Sequence, residues 1–296
     1  MLLAFPPAAD YASAADARPF APTSAFNTVI PTAPAVDPKS GPMIDSAART
    51  GQLHANLVEY GIPIYTAAPD TPRYSVTCDL TGLWGPCPLS DVPVPVPGNA
   101  VPNTGEDGVL TVIDPSSNTV SEYWRARRTA QGWAAAFGAV NSLTGSGWGG
   151  ASTGAGASRV AGVVRVSEIE AGLIPHALVL QSDNVCAGVV RPPALKTDGD
   201  SSRPDCIPEG ARLQLDPDLD LATLDLSPGE RTVARAMQEY GGFLIDRAGT
   251  SLSASFERAP DASSTSVGSV YRAAGLGWDY HGMSAVPWDR LRVLSS

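Results

Sequence analysis

The chain has 296 residues, 43% of them hydrophobic, enough for one large domain or two smaller ones and too many for a chain disordered throughout. Its formal net charge is −10 and Lys occurs only at Lys39 and Lys196, so it lacks the clustered cations that binding to nucleic acid or an anionic membrane surface requires. The 29 Gly and 27 Pro favour many short strands joined by tight turns, and no apolar run reaches the length of a membrane span.

In chain order, residues 1–25 read as a flexible, Ala-rich lead-in without the cationic start of an export signal: an added Met on a mature chain, or the remnant of a signal. LHANLVEYGIPIY ends in a short strand, Ile62–Tyr65, whose Pro63 suits a sheet edge. VPVPVPG at 92–98 alternates Val and Pro and is extended or at an edge. GVLTVID at 108–114, a PSSN turn and SEYWRARRT at 121–129 predict a hairpin with Tyr123 and Trp124 on opposite faces. WAAAFGAVNSL at 133–143 follows as a strand, and GSGWGGASTGAGAS at 145–158 is too Gly-rich to be anything but a long loop. A strand or turn at Val160–Val164, a turn around Ser167–Gly172 and a strong strand at His176–Gln181 come next.

One helix is sharply marked. Ser227, Pro228 and Glu230 form a capping box with Pro at the first helical position. Val233, Met237 and Tyr240 make one apolar face, and Gly241 supplies the stop. FLID at 243–246 and SLSASFE at 251–257 read as strands, and a tail with Trp278, Tyr280 and Trp288 docks back on the body. The expected fold is mainly β: a β-sandwich or jelly roll with one packed α-helix and long loops, forming a single domain over 26–296. Four Cys fall into two local pairs, Cys78/Cys87 and Cys186/Cys206, each bracketing a Pro-, Gly- and Asp-rich loop. Without CxxC spacing beside His, they predict two disulfides and therefore a secreted, extracellular protein rather than a zinc site.

The chemistry-bearing residues are few. The three His are too scattered for a metal site, and no cofactor motif occurs. The Asp-rich LDPDLDLATLD lacks the EF-hand pattern for calcium. His176, at a strand start, is the candidate general acid or base, and His54 a candidate contact. Carboxylates lie at several strand ends, namely Asp114, Glu122, Glu168, Glu170, Asp198, Glu209 and Asp246, where two facing one cleft would suit glycoside hydrolysis. Arg212 either clamps a substrate carboxylate or bridges Glu209 or Glu230. Trp84, Trp124, Trp133 and Trp148 offer stacking faces, Trp148 best because Gly on both sides leaves it little core to join. No GxSxG, P-loop, GxGxxG or HExxH occurs, which argues against α/β-hydrolases, nucleotide-binding folds and zincins.

The landmarks FNT, LHANL followed by YGIP, VLTVID, EIEAGLIPHAL, EGARLQLDP and AMQEYGGFLID resemble a family of secreted bacterial β-rich proteins without an established activity. The likeness covers about residues 20–250 in spaced fragments, with the HAL, GARL and YG…D pieces most specific; family members often read MGARF where this chain has EGARL. The resemblance implies export and one β-rich domain, and it singles out Asn27, His54, Glu168, His176, Arg212, Tyr240 and Asp246.

These residues lead to an expectation of a secreted carbohydrate-active enzyme cleaving a polysaccharide or other extracellular glycan by acid/base catalysis. Its catalytic set would be His176, Glu168, Asp198 and Asp246, with Arg212, Trp148, Tyr240, His54 and Asn27 binding substrate, and no cofactor. A lyase would favour His, Tyr and Arg, and a hydrolase two carboxylates. The alternative is a non-catalytic extracellular carbohydrate-binding or cell-surface protein. An extracellular structural subunit fits the Pro- and Gly-rich loops but has no positive signal.

Overall fold

The computed structural model describes residues 18–80, 82, 85–150 and 152–295. Its strands are β1 (His54–Asn56), β2 (Ile64–Thr66), β3 (Arg73–Tyr74), β4 (Thr77–Cys78), β5 (Val94–Pro95), β6 (Leu110–Asp114), β7 (Thr119–Trp124), β8 (Arg127–Thr129) and β9 (Gly132–Ala135). They continue as β10 (Phe137–Ser142), β11 (Leu178–Ser182), β12 (Val185–Val190), β13 (Ile207–Glu209), β14 (Arg212–Leu215), β15 (Gly242–Arg247), β16 (Ser253–Ser255) and β17 (Leu291–Val293). A mixed six-stranded sheet runs β1-β16-β11-β15-β14-β17, with β1/β16 and β11/β15 parallel. A second sheet runs β10-β7-β6-β2. Strands dominate, as composition predicts.

Alternation along the strands builds the layers. Leu178 and Leu180 of β11, Leu244 of β15 and Leu213 and Leu215 of β14 point to one side of the large sheet. There they pack on the helices Ser40–Ala47, Val166–Ala171 and Pro228–Glu239, through Ile44, Ile169, Val233 and Met237. Val179, Phe243 and Ile245 point the other way and meet Val120 and Ile113 of the four-stranded sheet, closing a second core with Phe20 and Phe26. A third core on the far side of the small sheet joins Leu110, Val112 and Tyr123 to the Cys78–Cys87 segment.

The predicted hairpin forms, with Leu110 opposite Tyr123 and Asp114 opposite Thr119. The edge strand β2 begins just after Pro63, where a missing N–H breaks no ladder. The long helix runs Pro228–Glu239 with Ser227 and Glu230 capping reciprocally. Both disulfides, Cys78–Cys87 and Cys186–Cys206, are present. No helix among the described residues is long and apolar enough to cross a membrane.

Three expectations change. The lead-in was set at residues 1–25; residues 1–17 lie outside the described residues, but from Arg18 the chain is docked. Phe20 is buried and its N–H donates to Leu143 O at 2.6 Å. The segment read as a turn around Ser167–Gly172 is a helix, Val166–Ala171, because Glu168 accepts from the Arg165 N–H and caps it. The single strand expected over 133–143 is two, β9 and β10, in different sheets, and Ser40–Ala47 adds a helix whose Met43, Ile44 and Ala47 face the core.

Candidate functional site

A cavity of about 500 Å³ opens at one end of the large sheet. Asn56, Gln181, Ser253, Ser255, Ile245 and Asp246 line it from the large sheet, and Tyr60, Asn103, Thr153, Arg159 and Tyr280 from surrounding segments. A backbone irregularity puts Asp246 there. Strict alternation would turn Asp246 to the face of Leu244, into the helix-packed core. Instead the register against β11 shifts between Leu180 and Gln181, so that Asp246 sits beside Gln181. A bulge of this kind re-aims one side chain.

The Gly-rich loop grips that bulge. Ala155 N–H donates to Ile245 O at 2.8 Å, and Gly154 N–H to Asp246 Oδ1 at 2.8 Å. The loop is anchored from behind by Glu122 of β7, fully buried, whose two carboxyl oxygens accept from the Ser152 and Ser158 hydroxyls. Burial raises the Glu122 pKa. Arg159, at the loop's end, approaches Asp246 Oδ2 at 3.5 Å, and its Nε has no partner.

Two more carboxylates converge on Asp246. One oxygen each of Asp198, Glu209 and Asp246 lies within 4.8 Å of the others. Asp198 is exposed, on the loop bracketed by the Cys186–Cys206 bridge. Glu209 ends β13 and is 0% exposed, yet neither of its oxygens accepts a hydrogen bond. The neighbouring Thr197 hydroxyl eases its charge but points toward Cys186 O, at 3.5 Å, and does not satisfy it. Burial, then the charge of Asp198, holds the Glu209 carboxyl far above the usual carboxylate range. Burial raises Asp246 likewise, and Asp198 adds to this, while Arg159 and the Gly154 N–H oppose it. Burial lowers the Lys196 pKa, against the pull of Asp246, Asp198 and Glu209. Such an arrangement can hold and deliver a proton near neutral pH, and its oxygen set is also one that a hard divalent cation accepts.

The structure divides the residues singled out in the sequence. Asp198 and Asp246 come together, and His54 lines the same cavity with Nδ1 3.0 Å from Tyr280 O. His176 and Glu168 form a different pair, Nε2 to Oε1 at 3.0 Å, buried beside the helix Val166–Ala171. His176 precedes β11 while Asp246 sits beside that strand's far end, roughly 15 Å away at strand rise. His176 Nδ1 donates to Ala177 O at 2.9 Å, so both ring nitrogens are occupied within the fold. Burial disfavours its charge, and Glu168 more than compensates, leaving the pKa raised.

The expected substrate contacts of four residues are replaced by internal ones. Arg212 donates to Tyr240 O at 2.8 Å and Thr28 O at 2.5 Å and lies over the Phe243 ring, bridging neither Glu209 nor Glu230. Tyr240 is buried at the end of the long helix. Asn27 donates to Pro19 O and Ala21 O. Trp148 has core to join after all, stacked on Phe26 at 5.1 Å and edge-on to Phe243 at 5.7 Å. Of the other tryptophans, Trp133 is buried, Trp124 donates to Asp107 at 2.9 Å, and Trp84 lies outside the described residues. Glu209 was one of seven candidate carboxylates with nothing to single it out, and Arg159, Lys196 and Gly154 carried no signal.

The fold and site thus define a β-rich protein with a three-carboxylate cluster, one member of which lines a cavity beside the large sheet. The chain matches no family model, no curated protein and no solved structure.

Proposed function

We propose that the protein is an exported glycoside hydrolase that cleaves a polysaccharide at the Asp198–Glu209–Asp246 cluster. The observation that carries this reading is the approach of Asp198 and Glu209, within 4.8 Å, to Asp246, which itself lines a cavity of amides and hydroxyls. The two disulfides support export, since such bonds persist in oxidising compartments.

Asp246 faces the cavity, and the Gly154 N–H and Arg159 favour its ionised form. It attacks the anomeric carbon. Asp198, the accessible member, delivers the cluster's proton to the departing glycosidic oxygen, and Glu209 behind it holds that proton in reserve. Water then releases the glycosyl ester. The close approach matches the roughly 5 Å of retaining pairs better than the longer spacing of inverting ones. A hydrolase is favoured over a lyase because the cluster consists of carboxyls, with His176 far off.

A second reading has one observation behind it. The orphaned, buried oxygens of Glu209 suit a divalent cation, as in a non-catalytic carbohydrate-binding protein. A polysaccharide panel separates the two, read for new reducing ends and unsaturated uronates, with calcium or with EDTA. Hydrolysis predicts reducing ends without uronates, insensitive to EDTA, lost in Asp246→Asn and kept in His176→Ala. Calcium-dependent retention on a glycan without product would establish the binder instead.

A further inference from the structure

Trp278 is the one aromatic side chain among the described residues that is both large and strongly exposed, at 56%. The same tail buries Trp288 to 1%, so it does not lack a core in which to place an indole. Trp278 is also not on a loose loop. The Asp279 carboxylate accepts from the N–H groups of Leu57, Val58 and Glu59 at 2.9–3.0 Å, and His281 O accepts from Ala55 N–H at 2.9 Å. Tyr280 is held at φ 60, a conformation uncommon outside glycine, with its hydroxyl bonded to Glu59 and its ring 6.5 Å from Tyr60. Tyr60 and Tyr280 line the cavity, and Trp278 is two residues along the chain from Tyr280, exposed, with its ring 5.9 Å from His281.

We infer that Tyr60, Tyr280 and Trp278 form an aromatic platform leading out of the cavity, which binds further units of an extended polysaccharide chain. Rigid aromatic faces offer contact area at little conformational cost, and the apolar face of a sugar ring is complementary to them. Continuity with a cavity lined by Asn56, Asn103, Gln181, Ser253 and Ser255 makes a glycan the fitting occupant. The inference rests on the carbohydrate reading of that cavity, and it makes the preferred substrate a polymer rather than a short oligosaccharide.

The test is electrophoresis through gels containing arabinoxylan, arabinogalactan, mixed-linkage glucan or polygalacturonate, beside turnover of short aryl glycosides. At least one polymer should retard the wild-type protein. Trp278→Ala should weaken that retardation at least tenfold, Trp278→Phe should restore most of it, and aryl glycoside turnover should not change. Equal retardation of Trp278→Ala and wild type would overturn the platform. So would a wild type that no polymer retards, even if aryl glycosides were turned over, a result that leaves the hydrolase standing. Retardation that depends on Trp278 without turnover of any substrate would support the platform and contradict hydrolysis.

Discussion

At Gly154 the chain passes so close to the carboxyl cluster that a side chain has no place. A Cβ there would lie 2.5 Å from Glu209 Oε1 and 2.6 Å from Asp198 Oδ1, while the N–H donates to Asp246. Gly154→Ala should therefore push the carboxyls apart and lower hydrolysis by about 100-fold, since displacements near 1 Å carry costs of that size. Overpacking of this kind costs about 1–3 kcal/mol, so the variant should stay folded, which circular dichroism would check. An active Gly154→Ala would mean that the spacing of Asp198, Glu209 and Asp246 is irrelevant to function. The same scale explains why His176 looked catalytic in the sequence. It is scarce, polar and at a strand start, and its two nitrogens meet Glu168 and Ala177 O within the fold, away from the carboxyl cluster.

At the scale of elements, the Cys186–Cys206 bridge closes the loop that carries Lys196 and Asp198, with β13 bringing Glu209 in directly after it. Loop closure over 20 residues stabilises by about 3 kcal/mol in the chain-entropy account. Replacing both Cys by Ser should lower stability by about that amount in a denaturant titration. It should also impair hydrolysis more than the same change at Cys78 and Cys87, whose bridge serves a core remote from the cavity. Equal activity loss in the two variants would contradict this. Much of this level was legible in the sequence: the capping box of Ser227 and Glu230, the Leu110–Trp124 hairpin, the edge strand after Pro63 and both disulfides all rest on local signals. The helix Ser40–Ala47 was not, because Gly41 and Pro42 stand at its start and tertiary packing of Met43 and Ile44 decides it. Nor was the site. Asp198, Glu209 and Asp246 come from three separate segments, and a register shift, which leaves no mark in the order of FLID, aims Asp246 at the others.

Across the whole molecule, the end of the large sheet borders a cavity that Asp246 lines, with Asp198 and Glu209 close to that carboxyl. Burial raises Asp246 to about 7 and Glu209 to about 8, each helped by the charge of Asp198. Carboxyls whose folded pKa is raised favour the folded state at low pH, and that contribution is lost as pH rises through those values. The raised His176 acts in the same direction, so a stability profile alone does not isolate the cluster. Infrared difference spectroscopy of the protonated carboxyl stretch does, if wild type is compared with Glu209→Gln, because the buried Glu122 contributes equally to both. The account predicts a Glu209 carboxyl band, absent in the variant, that persists to about pH 8 and is lost above it. A cluster already ionised at pH 6, with identical spectra for the two proteins, would contradict the claim that these three residues hold the proton for catalysis.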